Sequence, residues 1–206
     1  PPPGIVQEPA YVTAQSLYGT LTFQDNSLIA VVEDLPGDTY RLIIDVNQNG
    51  DLTDDQLYQA NSGYEAVQGL EFLVHYPSSN TDRTYSISLY HWIPFQTLQY
   101  YRTHLCAGTL PLEAMDRQIV VLDDDADSVF GEPSVDWVVL DIDGNGVADG
   151  VSGDDEQFKQ DSAFYLGGNP YSVSSVSPEG DSITVASAAL GTWEGDITNE
   201  STGQPV

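Results

Sequence analysis

Basic residues are nearly absent from this chain. Its 206 residues include five Lys+Arg against 32 Asp+Glu, a formal net charge of −27. Phosphate binding needs clustered Lys and Arg, so nucleic acid and anionic membrane surfaces are poor partners for such a field. Cysteine is equally scarce. Cys106 stands alone, which rules out an internal disulfide framework and a Cys-based zinc site. Its neighbours Leu105 and Ala107 predict a buried, inert thiol. No apolar run is long enough to span a bilayer and no signal peptide is present; starting at Pro1 and not Met, the chain reads as a processed mature form or an excised fragment. The three histidines, His75, His91 and His104, sit beside aromatic or aliphatic residues and read as strand histidines, not catalytic bases. There is no Gly-x-Ser-x-Gly elbow and no glycine-rich phosphate loop. Nothing singles out a glycosidase-like pair among the many acids. No catalytic activity is expected.

Hydrophobic residues make up 40% of the chain, including 12 Tyr, which is enough for a folded core despite the charge. They fall in short segments rich in β-branched and aromatic residues, and often alternate: Leu17–Phe23, Leu28–Val32, Tyr40–Ile44, Leu70–Tyr76, Tyr85–Trp92 and Gln118–Leu122. Tyr85, Ile87 and Leu89 share one face of a period-two run. Pro/Gly/Asp turns at 35–38, 167–170 and 178–181 separate such segments, and the last closes a predicted hairpin of Tyr171–Val176 with Ser182–Val185. The one helical candidate is a turn near Asp154–Lys159. The fold class is therefore all-β, with β-sandwich-like units. A first unit spans 1–112 and a second 113–206, as one continuous sandwich or two packed domains. The ends, 1–9 and 197–206, read as extended tails of a kind that frays unless held.

The clearest pattern is an internal repeat. Residues 120–129 (VVLDDDADSV) recur at 138–147 (VVLDIDGNGV) with an offset of 18. Asp123, Asp125 and Asp127 map onto Asp141, Asp143 and Asn145, and the register carries Asp136 onto Asp154. Each copy is a strand running into a D-x-[DN]-x-[DN]-[GS] loop. A further loop at 44–55 (IDVNQNGDLTDD), the first in chain order, places Asp45, Asn47 and Asn49 at positions 1, 3 and 5, with Gly50 at 6 and Asp51 at 7. Oxygens at alternate positions converge as such a loop curls, glycine permits the sharp turn, and a distal carboxylate completes the shell of a hard ion wanting six to eight oxygens. The distal candidates are Asp54 or Asp55 in the first loop and Asp136 in the second. In the third, Asp154 is the repeat's choice, Asp155 its substitute and Asp149 a further candidate. Position 12, the closing Glu of a helical EF-hand, is Ser134 or Ser152, which excludes that motif. Solvated Asx turns are the metal-free alternative for any one loop.

Mg²⁺ demands stricter geometry, and soft transition metals want His or Cys. The expected cofactor is therefore Ca²⁺, two to three ions. Each carries two positive charges, so three still leave about −21, consistent with a salty or Ca²⁺-rich medium. Loops of this weak type fill at the millimolar Ca²⁺ found outside cells, which points to an extracellular or cell-surface location.

The stretch from Tyr40 through the 45–55 loop resembles a motif of secreted β-rich calcium-loop proteins of planctomycetes and related bacteria. Residues 121–146 and 168–173 are similar to the same group. Such modules sometimes precede a thioredoxin-like domain, but no Cys-x-x-Cys is present here, so that activity does not carry over. Two functions follow. One is a structural or adhesive module, in the form of a self-assembling filament or surface-layer subunit in which the N-terminal stretch adds as a strand to a neighbouring copy. The other is a carbohydrate- or cell-wall-binding accessory domain, with Tyr90, Trp92, Tyr100, Tyr101 and Trp193 as candidate sugar-stacking aromatics.

Overall fold

Alternating apolar segments in this chain have nowhere to bury one face except against another sheet, and they pair accordingly. A computed structural model describes residues 3–13, 15–149, 156–160 and 162–187, and the backbone of 191–198. The protein is all-β and its paired strands are antiparallel. The only helical segment among the described residues is a 3₁₀ turn at Ile93–Phe95. The chain groups into two compact units, Pro1–His75 with Asp82–Thr103, and Tyr76–Thr81 with His104–Val206.

In the first unit, β1 (Ser16–Phe23), β2 (Asn26–Leu35), β3 (Thr39–Ile44) and β4 (Leu57–Asn61) form one sheet in sequential order. β5 (Glu65–Tyr76), β6 (Thr81–Trp92) and β7 (Thr97–Arg102) form a second. The sheets face each other through Phe23, whose ring lies 4.6 Å from Phe72, 5.9 Å from Tyr85 and 5.6 Å from Tyr100. Burying such a ring contributes roughly 2–3 kcal/mol. His91 is also interior: its ring meets Tyr40 edge-on, Nδ1 lies 2.9 Å from the Thr97 carbonyl and Nε2 lies 3.0 Å from Asp34.

The other face of the four-stranded sheet carries a smaller core of Val31, Ile43 and Leu52, onto which Ile5, Tyr11 and Ile29 pack. The N-terminal segment is thus held by its own chain. Val6 and Gln7 donate backbone N–H to the Gly50 carbonyl (2.9 and 3.2 Å), Leu52 N–H returns to the Gln7 carbonyl (3.0 Å), and Thr13 N–H reaches the buried Glu33 carboxylate. Glu33 is paired with Arg41 at 3.0 Å. The predicted tail is a strap because Ile5 and Tyr11 have an apolar patch to cover.

The second unit is one eight-stranded sheet. β8 (Cys106–Leu112), β9 (Met115–Leu122), β10 (Trp137–Leu140), β11 (Gln157–Lys159), β12 (Ala163–Leu166), β13 (Asn169–Val176), β14 (Ser182–Ser187) and β15 (Gly191–Thr198) pair in the order β11-β10-β9-β8-β15-β14-β13-β12. The sheet rolls so that its two edge strands meet, with Phe158 of β11 stacked on Phe164 of β12 at 4.8 Å. Three expectations change here. The helical turn near 154–159 is replaced at 157–159 by β11, because Phe158 pairs opposite Val138 and buries its ring; residues 154 and 155 lie outside those described. Of the C-terminal tail, Ile197 and Thr198 pair with Gly108 and Ala107, and residues 199–206 lie outside the described residues. A boundary at 112 falls inside the β8–β9 hairpin, whose tight turn joins Leu112 to Met115 through Glu113 and Ala114, both at positive φ.

His104 is buried in this unit, edge-on to Phe130 at 5.8 Å and with Nε2 3.8 Å from the Cys106 sulfur. Burial lowers its pKa from 6.5 to about 4. The unfolded chain therefore takes up a proton near pH 6.5 while the folded chain does not. This contribution to stability is complete above pH 6.5, falls by about 1.4 kcal/mol per pH unit on acidification, and levels off below pH 4 after a total of about 3 kcal/mol. Urea unfolding of wild type and His104→Phe between pH 7 and 4 should show a difference in pH slope of that sign; parallel slopes would mean that the imidazole stays solvated.

Candidate metal centres

Each of the three aspartate loops connects two antiparallel neighbours: β3 to β4, β9 to β10, and β10 to β11. Position 1 is the residue immediately after the incoming strand, so Asp45, Asp123 and Asp141 are drawn out of water by the strand end and all three are buried. A buried carboxylate needs donors, and the loop curls to supply them. The position-6 N–H donates to the position-1 Oδ2 in every case: Gly50 to Asp45 at 3.0 Å, Ser128 to Asp123 at 2.8 Å and Gly146 to Asp141 at 3.1 Å. The position-7 N–H donates to the position-5 side chain: Asp51 to Asn49 at 2.6 Å, Val129 to Asp127 at 2.7 Å and Val147 to Asn145 at 2.8 Å. Positive φ recurs at positions 4 and 6, in Gln48 and Gly50, Ala126 and Ser128, and Gly144 and Gly146. The 45–55 loop, only loosely similar in sequence to the other two, has the same backbone.

In the second and third loops a distal acid caps the N–H of position 2. Asp136 Oδ1 accepts from Asp124 N–H at 3.0 Å and its Oδ2 from Glu132 N–H at 2.8 Å. In the first loop Val46 N–H donates to the Ile44 carbonyl at 2.9 Å, and its nearness favours the charged form of the Asp55 carboxyl. In the third loop the partner of Ile142 N–H is Glu156 Oε1, at 2.8 Å. Glu156 therefore stands where the 18-residue register placed Asp154. The reason is length: Asp136 follows its position 1 by 13 residues and Glu156 by 15, so two extra residues break the register. Asp154 and Asp155 lie outside the described residues. Asp149 is exposed and joins none of the carboxylate groups found among the described residues.

Among the described residues, carboxylate oxygens converge to within 4.8 Å of one another in three groups: Asp123, Asp125 and Asp136; Asp125, Asp127 and Glu132; and Asp141, Asp143 and Glu156. Such spacing can hold a metal ion, and the donors are all hard oxygens. Glu132 and Glu156 were not expected from the sequence. Glu156 directly precedes β11 as Asp136 directly precedes β10, a likeness that appears only once β11 is seen to be a strand. The first loop is built differently. Asn47 and Asn49 turn their amides toward Asp54 Oδ2 (3.4 and 2.9 Å), and Asp51 Oδ1 accepts from Thr53 N–H at 3.0 Å. The Asp55 Oδ2 atom is buried without a hydrogen-bond partner.

The electrostatics agree with the crowding. Burial first, and then Asp45, Asp54 and Asp51, push the Asp55 carboxyl up to about 6. Burial raises Asp127, Asp136 and Glu132 as well, with Asp125 adding to each. Burial opposes the charged form and neighbouring carboxylates repel it, and a cation relieves both.

No protein-family model, curated protein or solved structure matches the chain.

Gly50 ties the first loop to the N-terminal strap. Its φ is +76°, and a Cβ there would lie 2.2 Å from the Gly4 carbonyl oxygen. Gly50→Ala is expected to cost on the order of 2 kcal/mol, from backbone strain and the clash together. Urea unfolding and amide exchange at Val6 and Gln7 measure it; unchanged stability with slow exchange at both would show that the strap does not depend on this approach.

Proposed function

We propose that the protein is an extracellular, Ca²⁺-binding structural or adhesive module, with calcium held in the aspartate loops. The observation that carries this reading is the shared geometry of three strand-to-strand loops, two of them closed by a distal acid, within a chain that has only five basic residues to balance its carboxylates. Ca²⁺ suits the all-oxygen donors and an irregular shell completed by carbonyls and water. In this reading Asp45, Asn47, Asn49 and Asp55 serve the first loop, Asp123, Asp125, Asp127 and Asp136 the second, and Asp141, Asp143 and Asn145 the third. The ions stiffen the connections between strands and remove carboxylate repulsion. Self-assembly by strand exchange takes a concrete form: the strap at Gly4–Gln7 leaves its own loop and docks on the same loop of a second copy.

A second reading, a glycan-binding accessory module, draws support from Trp92 and Phe95, which stack at 5.4 Å with both rings exposed. Tyr100, by contrast, contacts the core ring of Phe23, and the Trp193 side chain lies outside those described. A glycan array run with Ca²⁺ separates the two, since silence across acidic and neutral polysaccharides removes the second.

The decisive experiment is a thermal melt of metal-stripped protein with light scattering, from 0 to about 10 mM Ca²⁺ and with Mg²⁺ as control. Each filled site should add about 2.7 kcal/mol once free Ca²⁺ reaches about 100 times Kd. A Ca²⁺-specific rise accompanied by scattering that disappears on deletion of residues 1–10 supports the assembling module. The absence of any Ca²⁺-specific shift would mean that the loops are solvated turns.

A further inference from the structure

The third loop differs from the other two in where its closing acid leads. Glu156 is the last residue before β11, the shortest strand in the sheet and one of its two edges. Its backbone carbonyl accepts Leu140 N–H at 2.9 Å, so it already lies in the ladder that joins β10 to β11. Its side chain turns into the loop. Oε1 accepts N–H from Ile142 (2.8 Å) and Asp143 (3.1 Å), while Oε2 is buried and has no hydrogen-bond partner among the described residues. The residue as a whole is only 7% exposed. A buried carboxylate oxygen left without a donor is costly, and the Glu156 carboxylate belongs to a group whose other members are those of Asp141 and Asp143, with one oxygen of each within 4.8 Å of the others.

We propose that Asp141, Asp143 and Glu156 form a Ca²⁺ site that fastens edge strand β11 to β10 and so closes the rolled sheet of the second unit. This rests on the calcium reading above and gives one ion a specific structural task. The donors are oxygens without His or Cys, which selects a hard cation. Asp143 is exposed, so water can reach the open side of the shell, as Ca²⁺ sites allow. Three residues of strand supply few hydrogen bonds, and three converging carboxylates repel one another across the junction that must stay closed. With the ion bound, that repulsion becomes attraction between the start of the loop, on β10, and its end, on β11. What β11 then holds in place is specific: Phe158 stacks on Phe164 of the opposite edge at 4.8 Å, and the Lys159 ammonium sits 3.7 Å from the centre of the Trp137 ring.

Hydrogen–deuterium exchange of the full chain, read by peptide with Ca²⁺ alone as the probe and Mg²⁺ as control, tests this. In wild type, Ca²⁺ should slow exchange over Gln157–Lys159 by about tenfold or more. Glu156→Gln keeps an acceptor oxygen for the two N–H groups but loses the charge, and should abolish that protection while leaving Ca²⁺ protection over 45–55 and 123–136 intact. Asp143→Asn, at an exposed position that puts no folding at risk, should shift the Ca²⁺ midpoint for the same peptide upward by at least about tenfold. Full Ca²⁺ protection of β11 in both variants overturns the proposal. So does protection of 45–55 and 123–136 in wild type without protection of 157–159, and in that case the broader calcium reading survives. No Ca²⁺ protection anywhere in wild type overturns both.

Discussion

The structure depends on a carboxylate that each strand carries out of water at its end. Asp45, Asp123 and Asp141 are buried because the strands before them are, and a buried carboxylate must collect donors. The nearest are the backbone N–H groups of its own loop. Collecting them forces left-handed backbone at positions 4 and 6, even where the residue is Gln48, Ala126 or Ser128. In the second and third loops the carboxylates of positions 1 and 3 and of the distal acid then lie within 4.8 Å of one another. Metal-ready geometry is thus a consequence of satisfying the first aspartate.

The same constraint couples the loops to the sheets. In the first unit the Gly50 carbonyl and Leu52 N–H hold the N-terminal strap, and Leu52 joins the small core beneath it. In the second unit, the loops at the two ends of β10 lead from β9 and into β11. A cation in any of them would act on strand pairing as much as on local charge. That gives the proposed calcium a structural role, in keeping with a chain in which the repulsion of many acids is the main electrostatic opponent of folding.

Much of this was legible beforehand. Long alternating segments such as Tyr85–Trp92 became strands because an alternating pattern can bury only one face. The three loops were recognisable because Asp, Asn and Gly at fixed spacing serve both the turn and the donors. What escaped detection was short or depended on distant partners. Gln157–Lys159 looked like a helical turn, since three residues carry no periodicity, and only Val138 opposite Phe158 makes them a strand. Glu156 falls outside the 18-residue register because the two loops differ in length, and Glu132 has no acidic counterpart in that register, which maps it onto Gly150. Tyr100, considered for an exposed sugar-stacking role, contacts the core ring of Phe23 instead.

The sequence alone therefore determined the all-β class, the place and local curl of the aspartate loops, and the excess of negative charge, because each is set by residues within a few positions of one another. Tertiary structure decided which acid closes each loop, that the N-terminal segment straps its own sheet, and that β11 and β12 meet at the edges of a rolled sheet. Those outcomes depend on which strand ends lie side by side, and residues far apart in the chain set that through the surfaces they bury together.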